Sequence, residues 1–164
     1  DQPITDFVGE VPTLLMSPVT HERVVEDNTV FEHLAQRWGD IEILEDGDSR
    51  SLGGLELTHR SAPIQEGGEN AIPALRLEDE RGTAFLSPDE NRHLDVESLP
   101  ALELWVKETG YFPETPEGDR TVTEAAERTA LAAEMTFEET LAHVWAVRPE
   151  RTVLTESEDQ CRRS

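Results

Sequence analysis

Lysine is almost missing from this sequence: Lys107 is the only one, and the remaining bases are arginines. Cysteine is equally scarce. Cys161 stands alone, so no internal disulfide can form and no second thiol is present for a zinc knuckle, which fits a reducing cytoplasm. No window approaches the ~18 consecutive apolar residues of a transmembrane helix, and the first twenty residues lack the basic-then-apolar order of a signal peptide. The expectation is a soluble, cytoplasmic protein. G-x-S-x-G, G-x-x-x-x-G-K and G-x-G-x-x-G are all absent, which removes the anchors of an elbow nucleophile, a P-loop and a dinucleotide site. Internal repeats and low-complexity tracts are absent too.

Acid is what the chain has in excess. Its 164 residues carry 36 Asp and Glu against 14 Lys and Arg, a formal net charge of −22, with 36% hydrophobic and 5% aromatic residues. One core of modest size is the natural outcome for that length. Such a charge repels phosphate backbones and anionic lipid surfaces, and no basic face offsets it, so nucleic-acid and membrane-surface binding are not expected. The acids are spread through every predicted element instead of forming a tail. Molar salt shortens the Debye length to ~3 Å and removes most of the self-repulsion. With lysine so rare, the composition resembles that of haloarchaeal proteins and predicts a salt-adapted, halophilic source.

Along the chain, Val11 to Ser17 reads as a short strand stopped by Pro18. A broken helix follows. Val24 and Val25 belong to its first piece, and Asn28 caps a second with Phe31, Leu34 and Trp38 on one face and Gly39 as the stop. Strands are expected at Ile41 to Leu44 and, after the Glu45 to Ser49 turn, at Leu52 to Thr58. Pro63 to Ala71 is a polar loop with two glycines. Ile72 to Leu77 and Thr83 to Leu86 form a hairpin. Leu102 to Val106 is another apolar run, ending in the polar residues Lys107 to Gly110. Tyr111 to Arg120, with Pro113, Pro116 and Gly118, is a long loop of the kind that often serves as a lid or binding loop. Capping boxes at Thr121/Glu124 and Thr136/Glu139 open two helices. In the second, Phe137, Leu141, Val144 and Trp145 are expected on the buried face. Pro149 ends it, and Arg151 to Thr155 is a last strand. The fold class expected is α/β, or α+β layered, as one domain over residues 1–157 with a polar tail at 158–164.

Chemistry is harder to place. The five histidines, His21, His33, His59, His93 and His143, form no H-x-H, H-E-x-x-H or H-x-x-x-H pair, so only the fold could assemble a zinc site from them. His59, at a strand end beside the glycine loop, is the best placed. Two strand ends carry an acid where α/β sheets often place site residues: Asp89 after AFLSP, and Glu108 after LELWVK. Read plainly, each is a strand followed by a polar turn.

The order of segments VPTLLMSPVTHE, LGGLELTHRSAPIQEGG, GTAFLSPD, LELWVKETGYF and MTFEETLAHVWAVRPERTVLTES resembles the later two thirds of a metallo-β-lactamase-fold hydrolase, nearest to the cyclic-phosphodiesterase-type and PqqB-type members. The resemblance spans nearly the whole chain and is most specific over Met135 to Thr155. It implies a partial αββα sandwich with a dinuclear, usually zinc, centre at the sheet edges serving hydrolysis of phosphodiesters or of ester or amide carbonyls. The family's H-x-H-x-D-H motif is not in this chain. It would fall just before or across Asp1, with Asp1 as its aspartate and Gln2 in place of a histidine. The strand-end histidine of the family corresponds to Ile64, which cannot bind metal. The bridging aspartate corresponds to Asp89 and the last histidine to Glu156, so Asp89 and Glu156 are the metal ligands the resemblance implies.

Two functions follow from that ligand set. The first is a non-catalytic, salt-adapted relative with weak or absent zinc and no catalytic residue of its own, acting as a binding or structural module or standing as a diverged remnant. The second is the later part of an active metal-dependent hydrolase acting on a small-molecule or phosphodiester substrate. Without its first strands the sandwich would expose open sheet edges, which a homo-oligomer would cover.

Overall fold

The computed structural model describes residues 13–23, 40–64, 71–89, 91–124 and 134–157. Its chain divides into two compact units, Asp1–Ser49 and Arg50–Ser164. In the first, strand β1 (Leu14–Met16) pairs in parallel with β2 (Ile41–Ile43), Leu14 opposite Ile41 and Met16 opposite Ile43. Helix α1 (Pro18–His21) starts where the sequence predicts. Ser17 caps it, its hydroxyl accepting from the Thr20 amide at 3.1 Å, and Pro18 supplies the preset first turn. The second helical piece, with Phe31, Leu34 and Trp38, lies outside the described residues, as do Asp1, His33 and Cys161.

The second unit is built on a six-stranded sheet in simple sequence order. Its strands are β3 (Ser49–Leu52), β4 (Leu55–Pro63), β5 (Ala71–Asp79), β6 (Gly82–Ser87), β7 (Leu104–Gly110) and β8 (Arg151–Ser157). β4, β5 and β6 are antiparallel neighbours, whereas β6, β7 and β8 run parallel. Helix α2 (Phe137–Val147) lies in the β7-to-β8 connection, as a parallel pair requires. The class is α/β, as the sequence predicts.

One face of the sheet carries Ala62, Ala74, Phe85 and Trp105, packed with Leu94 and Leu102 and covered by Val96, Leu99, Val144 and Val147. Small residues on β4 and β5 give way to large ones on β6 and β7. Phe85 and Trp105 sit opposite each other in register and meet edge to face, 6.4 Å between centroids at 61°.

Four sequence expectations change. The single strand expected over Leu52 to Thr58 is broken by a turn at Gly53 and Gly54, so Leu52 ends β3 and Leu55 starts β4. β4 runs to Pro63, well past Thr58, so His59 lies within a strand opposite Leu75 and not at a strand end. β7 continues through Lys107 to Gly110 because pairing with β8 extends to Gly110 opposite Ser157, and polarity alone does not end a strand with parallel neighbours. On α2, Trp145 is 70% exposed, whereas Thr140 is fully buried. At about 100° per residue, Phe137, Thr140, Leu141, Val144 and Val147 share an arc of about 120°, and Trp145 falls about 40° beyond it. The capping box at Thr136 and Glu139 forms in full, and Arg148 closes the helix in the left-handed conformation just before Pro149. The Tyr111 to Arg120 loop folds back on itself: Thr115 bonds Asp119, and Thr121 returns to Pro113.

Candidate metal centre

Parallel strands β6, β7 and β8 bring their carboxyl ends to one edge, with Ser87 beside Lys107, Glu108 beside Thr155 and Gly110 beside Ser157. Asp89, two residues past β6, is exposed there, and Glu108 near the end of β7 is buried. A third acid arrives from far along the chain. Gly110 has φ +77, and a Cβ on it would lie 2.5 Å from the Met135 carbonyl oxygen. Only glycine allows that approach. The Tyr111 amide then donates to Met135 at 3.0 Å and the Phe137 amide to Tyr111 at 2.9 Å, which sets Glu134 against β7. Asp89, Glu108 and Glu134 each offer a carboxylate oxygen, and all of these lie within 4.8 Å of one another.

The loop that carries Asp89 is pinned by Asn91, which is fully buried. Its backbone amide donates to Oε1 of Glu108 at 3.0 Å, and its side-chain amide donates to the Ser87 carbonyl at 2.7 Å. Its Oδ1 accepts from the Lys107 ammonium. Lys107 is itself fully buried, its Nζ 3.3 Å from the Met135 sulfur and 5.2 Å from the Trp105 ring centroid, while Trp105 donates to the Ser87 hydroxyl at 2.9 Å. Burial pulls the Lys107 ammonium down to about 8, and the neighbouring Glu108 charge opposes that fall, so it remains protonated at neutral pH.

On α2, burial and then the Lys107 charge push His143 down to about 4 against the pull of Glu139. Burial raises the Glu139 carboxyl, but hydrogen bonds from Thr136 and an ion pair with Arg92 at 2.8 Å outweigh it and hold the group below the usual range.

Of the two ligands implied by sequence, Asp89 belongs to this group. Glu156 lies in β8 one residue beyond the partner of Glu108, its side chain outside the described set. Ile64 follows β4, on the antiparallel half of the sheet. Glu108 was legible as a strand-end acid. Glu134 was not, and its one local signal is its place two residues before the Thr136 cap. Among the described residues, the group of potential ligands contains no histidine: His59 is in β4, His93 in the turn after β6 and His143 on α2.

No sequence family and no curated protein sequence matches the chain. Solved structures do. Zn2+-bound PqqB from Methylobacterium extorquens superposes with a TM-score of 0.50 at 13% identity, over 90% of this chain and 61% of that one. The metallo-β-lactamase fold protein YhfI from Bacillus subtilis gives 0.50 at 12% identity, over 97% and 59%. The chain has a metallo-β-lactamase fold. It spans about three fifths of the length of these two structures.

Within that fold, the three carboxylates stand at the edge where the parallel strands end. An all-oxygen donor set suits hard cations such as Mg2+ or Mn2+, while zinc centres draw mainly on imidazole and thiolate. Among the described residues, the group that converges here is therefore not the imidazole-bearing set of the zinc centre implied by the resemblance. They make a strongly negative edge with one buried ammonium beneath it.

Proposed function

We propose that this chain is a salt-adapted, cytoplasmic relative of the metallo-β-lactamase-fold hydrolases that carries a reduced, carboxylate-only edge, holds zinc weakly or not at all, and serves as a binding or structural module. The observation that carries this reading is the composition of the edge. Among the described residues, Asp89, Glu108 and Glu134 converge without an imidazole, and Glu108 already accepts a hydrogen bond from Asn91. A catalytic zinc needs about three protein ligands and an open position. The charge of −22 supports salt adaptation and argues against nucleic-acid or membrane partners. A homo-oligomer covering open sheet edges belongs to the same reading.

The test is hydrolysis of a chromogenic phosphodiester and a chromogenic ester in molar KCl, with and without chelator. The proposal expects no turnover above buffer in any arm. A second reading, the later part of an active metal-dependent hydrolase, is favoured by one observation: Asp89, which the resemblance assigns as a bridging ligand, does meet two other carboxylates at this edge. It expects chelator-sensitive turnover that Asp89→Ala abolishes with the fold intact.

A further inference from the structure

The chain avoids lysine everywhere except at one fully buried position, the place where an ammonium costs most to desolvate. The contacts of that ammonium account for its position. It touches Asn91 and Met135. Asn91 lies two residues past Asp89 and donates through its backbone to Glu108. Met135 follows Glu134 directly, and Lys107 itself precedes Glu108. Each of the three segments that deliver a carboxylate is thus held, within two residues of that carboxylate, by Lys107 or by a group it touches.

We propose that Lys107 is the internal cation of this edge, fixing Asn91 and Met135 so that a covalently held ammonium, in place of a bound ion, organises Asp89, Glu108 and Glu134. The inference rests on the reading of the edge as one without zinc. One ammonium offsets at most one of the three carboxylate charges, and it does so from beside two buried acids, Glu108 and Glu134, through its contacts with Asn91 and Met135. Methionine at 107 would keep the length and the contact with Trp105 but remove the charge, leaving the carboxylates to be neutralised by a cation from solution. Stability should then depend on divalent ions, because a ligand that binds only the folded state stabilises it.

The experiment is thermal unfolding of the full chain and of Lys107→Met at constant ionic strength, with chelator or with millimolar Mg2+ or Mn2+, alongside the metal content of the purified parent. The parent is expected to unfold at the same temperature in all arms, while Lys107→Met gains about 3 to 5 °C with the divalent ion. Asn91→Ala, which removes the acceptor tying the ammonium to the Asp89 loop, is expected to gain a smaller but measurable shift. If Lys107→Met folds only when Mg2+ or Mn2+ is present during refolding, that dependence supports the proposal equally. A merely structural lysine would give variants whose stability changes without any response to cations, and that result overturns the proposal. Tightly held, stoichiometric metal in the parent would instead overturn the zinc-free reading on which it rests.

Discussion

The backbone amide of Asn91 donates to the Glu108 carboxylate at 3.0 Å, joining the loop that follows β6 to the end of β7 through a bond that no side-chain pattern announces. Around it, buried polar groups satisfy one another: Asn91 with Ser87 and Lys107, and Trp105 with Ser87. Such networks specify one arrangement, since each partner lost leaves a buried group unsatisfied.

Gly110→Ala tests how Glu134 reaches the edge. The φ of +77 and the 2.5 Å approach of the Met135 oxygen both forbid a side chain, so the variant should lose about 2 to 4 kcal/mol in denaturant titration. An unchanged midpoint would mean that the strand end and the Met135 backbone are not in contact.

Two tryptophans give opposite outcomes. Trp105 is fully buried and Trp145 is 70% exposed. Trp105→Ala should cost about 3 to 5 kcal/mol, whereas Trp145→Ser should stay within about 0.5 kcal/mol. Equal losses in urea unfolding would restore Trp145 to the packed face.

Acid sensitivity should track His143. Its folded value is about 4 against an ordinary 6.5, so between these the unfolded chain binds a proton that the folded chain refuses. The associated stability is fully present above about 6.5 and is lost as pH falls toward about 4. His143→Gln should show a shallower loss than the parent across that window, measured as unfolding midpoint against pH. Parallel curves would place the imidazole in solvent.

Salt should stabilise. With a charge of −22, raising KCl from dilute to molar concentration should lift the melting temperature by more than about 5 °C. A flat or falling profile would remove the halophilic reading.

Much of the architecture was legible because its signals are local. The Thr136 to Glu139 box, the stop at Pro149 and the Glu80 to Arg81 hairpin turn each depend on a few neighbouring residues. The apolar runs at β6 and β7 gave the strands, and with them Asp89 and Glu108 as strand-end acids. What stayed hidden depends on partners distant in sequence. β7 extends through Lys107 because β8 lies beside it, and His59 falls within a strand because β5 pairs with β4 up to Pro63. Glu134 meets Glu108 only because Gly110 lets the Met135 backbone pass. Trp145 looked buried because periodicity fixes the width of an apolar arc but not its centre, which Val144 and Val147 set by packing on the core.

The most direct test of the proposal that this metallo-β-lactamase fold carries a carboxylate edge in place of a zinc centre is the metal content of the chain after loading with excess zinc and exhaustive dialysis in molar KCl. The account predicts less than about a tenth of an equivalent of zinc retained. One or two tightly held zinc ions per chain would contradict it.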